Sequence, residues 1–432
     1  MNLKKSLLIA LLSFGVAQSA LAETNIEKFD RAYQFIKQQN YSAALPLFKQ
    51  LAEQGNAVAQ FNLGLMYEEG HGVTQNSQQA VYWITKAAEQ GYANAQGNLG
   101  WRYEEGRGVT QNYQQAVYWY TKAAEQGFAA AQLTLGLMYE EGRGVTQNYQ
   151  QAVYWYTKAA GQGFAAAQSL LGMMYEKGRG VTQNYQQAVY WYTKAAEQGF
   201  ADAQLDLGMM YENGRGVTQN YQQAVYWYTK AAEQGLAAAQ FSLGMMYELG
   251  RGVAQSDTQA VYWLKKAVEQ GLADAQFFLG MMYKLGRGVA QSDTQAVYWY
   301  TKAAEQGFAV AQVSLGLMYE EGRGVTQNYQ QAVYWYTKAA EQGFADAQFF
   351  LGMMYKLGRG VAQSDTQAVY WYTKAAEQGF AAAQFSLGVM YEFGRGAQKN
   401  VSTAKAFYGQ ACDNGNAQGC KDFARLDKQG VR

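Results

Sequence analysis

A Gly-Leu-Met-Tyr-Glu-Glu-Gly stretch returns every 36 residues along this chain. Its first glycine stands at Gly64, Gly100, Gly136, Gly172, Gly208, Gly244, Gly280, Gly316, Gly352 and Gly388. Tryptophan keeps the same beat at Trp83, Trp119, Trp155, Trp191, Trp227, Trp263, Trp299, Trp335 and Trp371. A fixed period of this length marks a solenoid, whose units bury their apolar faces only against their neighbours. Length alone would suggest two or three domains for 432 residues. The repeat replaces that estimate with one array over residues 56–411, preceded by a capping helix pair over 23–55 and followed by a C-terminal cap over 412–432.

The stretch from Phe128 to Gly163 shows how one unit works. Ala129–Glu141 reads as a first helix, 142–148 as a loop and 149–162 as a second helix. Asn148 is placed to cap the second helix, and Gly163 to take the left-handed turn that ends it. On the first helix Ala131, Leu135, Met138 and Tyr139 share a face; on the second, Ala152, Trp155, Tyr156 and Ala159 do. These stripes are the expected core. Gly136 interrupts a helix at a cost of about 1 kcal/mol, so its recurrence points to a close approach of two helix backbones. In the N-terminal cap, Pro46 is the only proline of the chain. It is tolerable there if its helix begins close to Ala43.

The ends add a location. Lys4 and Lys5, the apolar run Leu7–Val16 and Ala20-Leu21-Ala22 have the order of a secretory signal over residues 1–22, cut near Ala22. Glu23 follows rather than a lipid-carrying cysteine. No later run is apolar for long enough to cross a membrane, so the expected destination is the periplasm or the exterior. A net charge of +1 without a basic block gives no electrostatic case for nucleic acid. A lone histidine, His71, makes neither a metal site nor a triad, and no cofactor or catalytic residue is expected. Cys412 and Cys420 are read as a disulfide, the default in an oxidising compartment; a catalytic cysteine is the sharper alternative.

Three stretches carry a family resemblance: Ala124–Gln132, Leu135–Val145 and Gln151–Ala160. They resemble Sel1-type repeats, relatives of the tetratricopeptide repeat. The resemblance implies an all-α, right-handed α-solenoid of about ten helix-loop-helix units, with first helices lining a concave side, and a role as adaptor or scaffold for protein or peptide partners. The last repeat, Ala411–Gly415 with Cys420, is similar to the Helicobacter cysteine-rich branch. That similarity implies β-lactam binding or weak β-lactam hydrolysis as an alternative activity.

Copies of the repeat within the chain differ mainly in the first helix, at the positions of Leu133, Thr134 and Glu141. On the concave reading, the C-terminal half there is apolar. The expected partner-binding residues are Phe241, Leu249, Phe278, Leu285, Phe350, Leu357 and Phe393, flanked by Met245, Met281 and Met353; apolar residues off the core face need something to cover them. Packing between adjacent first helices is the competing account. A second ladder runs along the second helices, with Tyr118, Tyr154, Tyr190 and Tyr226 among its members. Tyrosine offers a flat apolar face with a polar end, suited to sugars or proteins, though the rings can equally lie along neighbouring helices. A third ladder, Arg107, Arg143, Arg179 and their equivalents, follows each first helix, where a cation is favourable.

Overall fold

A computed structural model describes residues 24–432, and the signal-type segment at 1–22 lies outside the described residues. Among the described residues there are 23 helices and no strand. The fold is an all-α solenoid of helix pairs, as expected. The chain divides into two compact units, one ending at Phe200 and one spanning Ala201–Arg432. Each unit is built from repeated pairs of 13-residue helices, such as Ala129–Glu141 with Tyr149–Gly161 and Ala273–Leu285 with Asp293–Glu305. No helix among the described residues is long and apolar enough to cross a membrane.

Helix boundaries are chemically marked. The Asn148 side chain accepts a hydrogen bond from Gln151 N at 3.0 Å, satisfying one of the free donors at the start of Tyr149–Gly161. Ser256, Ser292 and Ser364 do the same where asparagine is replaced. At the other end Gly163 has φ +87°, the left-handed turn expected of it. The N-terminal pair comprises Asn25–Lys37 and Tyr41–Glu53. The second of these starts two residues before Ala43 and holds Pro46 inside it, so the Ser42 carbonyl loses the N–H that would normally reach it.

The core forms where the second helix of one repeat meets the first helix of the next. One cluster joins Ala152, Tyr156 and Ala159 to Ala167, Leu171 and Met174, all fully buried. Ala131, Leu135 and Met138 take the corresponding places one repeat earlier. Two residues of the expected stripes sit differently. Tyr139 and Trp155 are half-buried, and Trp155 packs on the cluster formed by its own repeat's first helix and the second helix of the repeat before. The tryptophans therefore flank the joint between repeats rather than fill the middle of one. The recurrent glycine also has a more specific cause than backbone approach. A Cβ on Gly136 would lie 2.5 Å from the Tyr156 ring, whereas the nearest backbone atom, the Ala152 carbonyl oxygen, is 3.3 Å away. In the repeats with tyrosine at this place, the ring is what requires glycine.

Candidate functional site

A charged lattice runs through the repeats beneath any binding surface. The buried Tyr156 hydroxyl donates to Glu140 at 2.7 Å; Tyr120, Tyr192, Tyr228, Tyr336 and Tyr408 donate in the same way to Glu104, Glu176, Glu212, Glu320 and Glu392. Burial first, then the carboxylate, pushes the Tyr156 hydroxyl far above its ordinary range. The loop arginine of the following repeat pairs with the same carboxylate: Arg143 with Glu104 at 2.8 Å and Arg359 with Glu320 at 3.5 Å. The arginine ladder thus ties one repeat to the next, a role the sequence reading did not assign. Its second partner varies with the loop. Arg179 lies over the Tyr149 ring and Arg359 over Tyr329, whereas Arg287 forms a forked pair with Asp257 at 2.8 and 3.1 Å.

The expected partner-binding residues fall into two groups. Phe241, Phe278 and Phe350 are half-buried: Phe278 rests on Phe241 of the preceding first helix with centroids 5.5 Å apart, and Phe350 stacks on Tyr336 at 5.3 Å. Met245, Met281 and Met353 are half-buried as well. Leu249, Leu285, Leu357 and Phe393 are different. Each is the last residue of its first helix, and they are 49%, 55%, 47% and 61% exposed. The unit ending at Phe200 carries Glu69, Glu105, Glu141 and Lys177 at this position.

On the second helices, Tyr118, Tyr154, Tyr190 and Tyr226 are about half-exposed. Tyr154 meets the Trp155 ring edge-on at 4.9 Å, and Lys158 approaches the Tyr154 ring at 5.5 Å. These rings open into clefts between successive second helices. One cleft, of about 410 Å³, is lined by Ala124, Glu125 and Gly127 on one wall, Tyr154, Trp155, Lys158 and Gln162 on the other, and Gln132 at its floor. The alanine, glutamate, glutamine, tyrosine, tryptophan and lysine of this set recur around Tyr118 and Trp119 in about 280 Å³, and the whole set recurs around Tyr334 and Trp335 in about 510 Å³ with Glu341 added. At the floor, Gln132 donates to the Ala124 carbonyl and accepts from Gln162 at 2.8 Å.

Cys412 and Cys420 form a disulfide with Cα atoms 4.5 Å apart, joining Val401–Asp413 to Ala417–Lys428.

Helix pairs that cohere by stacking, with surface positions that vary over an unvarying frame, define a repeat scaffold. The Sel1 repeat model matches eleven consecutive segments, from 29–56 through 57–92 and onward to 381–416. The chain belongs to the Sel1 repeat family, whose repeats mediate protein–protein interactions. Among solved structures it is similar to c5321, a protective antigen of uropathogenic Escherichia coli strains displaying an SLR fold. The two are 39% identical, with 95% of this chain and 89% of that one covered and a TM-score of 0.82. A Sel1 repeat protein from Oxalobacter formigenes is 34% identical over 80% of this chain and 99% of its own, with a TM-score of 0.59. The cysteine rich protein B of Helicobacter pylori is 25% identical and covers 30% of this chain and 94% of its own, with a TM-score of 0.25. No curated protein matches the chain.

Proposed function

We propose that the chain is an exported scaffold that holds a protein or peptide partner on the first-helix surface of its Ala201–Arg432 unit. The observation that carries this is the row Leu249, Leu285, Leu357 and Phe393, one side chain per repeat at a single repeat position, interrupted only by Glu321. Burying the exposed half of each favours association by about 1 kcal/mol per residue. A row at fixed spacing suits an extended or helical segment with apolar side chains at intervals. The half-buried methionines beside it give an adaptable margin. Export is supported by the order of Lys4, Lys5, Leu7–Val16 and Ala20–Ala22, and by the Cys412–Cys420 bond, a kind that persists in oxidising compartments.

The test uses the chain from Glu23 onward, and its L285E/L357E/F393E variant, as baits in an envelope extract read by mass spectrometry. A partner retained by the first and lost from the second is the expected result. Identical captured sets would remove the proposal.

A further inference from the structure

We propose that the repeated clefts between second helices are carbohydrate subsites, each taking one sugar ring of a glycan chain. Each cleft joins an aromatic corner, such as Tyr154 with Trp155, to Lys158, Glu125, Gln132 and Gln162. Its volume falls near or within the range typical of small-molecule sites. Four features select the ligand class. First, the apolar lining is aromatic ring plus alanine, with no aliphatic side chain to receive a leucine-type anchor or an acyl chain. Second, a lysine and a glutamate face each other across the clefts at Tyr118 and Tyr154, and a further glutamate, Glu341, joins them at Tyr334, so a polyanion or polycation meets a repelling partner in each of these three clefts. Third, a carboxylate accepts, an ammonium donates and the amides do both. A ring bearing hydroxyls satisfies all of these at once while its C–H face lies on the aromatic corner. Fourth, the clefts at Tyr118 and Tyr154 belong to consecutive repeats, so a ligand of repeating units meets like sites in series and gains by multivalency.

The chain contains its own comparison. In the copy around Tyr190 and Trp191, the wall position of Glu125 is occupied by Gly161, and the carboxylate is missing. In the last repeat Ala406 and Phe407 stand where tyrosine and tryptophan stand elsewhere, and the aromatic corner is lost.

This inference is independent of the first-helix row, and the experiment separates the two. The chain from Glu23 onward is applied to an array of defined oligosaccharides and to purified peptidoglycan, alongside Y118A/Y154A/Y334A and L285E/L357E/F393E. All three substituted tyrosines are half-exposed, and circular dichroism checks that the helices persist. The expected result is glycan binding that shifts tryptophan emission, falls at least tenfold in the tyrosine variant and is unchanged in the first-helix variant. Absence of binding to every glycan and to peptidoglycan overturns the proposal. So does binding that the tyrosine variant retains.

Discussion

Gly136 and Gly244 hold the same place in their repeats and face different neighbours. A Cβ on Gly136 meets the rigid, fully buried Tyr156 ring at 2.5 Å, while on Gly244 it meets the Ala260 carbonyl oxygen and Leu264, both at 3.3 Å, because that repeat has leucine where others have tyrosine. Replacing glycine by alanine within a helix gains about 1 kcal/mol, and forcing a carbon into a packed ring costs about 1–3 kcal/mol. Gly136→Ala is therefore expected to lower the unfolding midpoint and Gly244→Ala to hold or raise it, a contrast that thermal melts of the two variants would check. Arg102 is a second local exception. It is fully buried where the other repeats have methionine, and it pairs with Glu68 at 3.0 Å and Asn98 at 2.9 Å. The reason lies one helix away, where Ile84 replaces the tyrosine that supplies a hydroxyl to this glutamate in other repeats. Arg102→Met restores the common residue but leaves the buried Glu68 only the longer contact with the exposed Arg107 at 3.6 Å, so it should cost about 1–3 kcal/mol rather than stabilise. Glu68→Gln in the same chain should recover part of that loss, as a double-mutant cycle in urea would show. The sequence makes Arg102 visible as an oddity, but its partner lies 34 residues away and is chosen by stacking.

Helix limits were legible because their signals are local. Asn148, Gly142 and Gly163 mark ends through their own backbones, and the structure places the unit's first helix at Ala129–Glu141 and starts its second at Tyr149. What periodicity could not reveal is which repeat a side chain touches. Arg143 reaches back to Glu104 of the preceding repeat and Trp155 packs on a cluster that the preceding second helix shares, and a pattern identical in every copy reads the same whether contacts are internal or between neighbours. The apolar first-helix positions show the same limit. Phe278 and Leu285 lie on one helix and look equally exposed in the sequence, yet the first is covered by Phe241 and the second is left open. The buried tyrosines carry a pH dependence of their own. Burial raises the Tyr300 and Tyr372 hydroxyls from the usual 10 to about 12. The folded state keeps these protons to higher pH than the unfolded chain does. Their stabilisation is thus complete below about pH 10 and disappears as pH rises from 10 through 12, by about 3 kcal/mol for each. Tyr156 and Tyr336, which face glutamates, are pushed further in the same direction. Urea denaturation from pH 8 to 11.5 should show stability flat at first and then falling, with the tyrosinate absorbance appearing together with loss of helix.

At the scale of the whole molecule, stability should be a sum over neighbouring repeats, and the chain offers an unusually clean way to test this. The repeats at 273–308 and 345–380 are identical in sequence. Phe308 and Phe380, which end them, have the same extended backbone before the next first helix, φ −67° and −70°. Each also rests on its own repeat's first-helix phenylalanine, Phe277 or Phe349. Removing 309–380 joins Phe308 to Ala381 and gives the next repeat the same immediate neighbour that it had before. Removing 345–380 alone joins Phe344 to Ala381 and presents a repeat with Val313 and Ser314 where Phe349 and Phe350 stood. The longer deletion should therefore be the milder one per residue. It should keep helix content per residue and lower the urea m-value by about a sixth, in proportion to the surface lost, while the shorter deletion loses more of the melting midpoint. A longer deletion that proves the more damaging would mean that stability depends on contacts beyond the adjoining repeat.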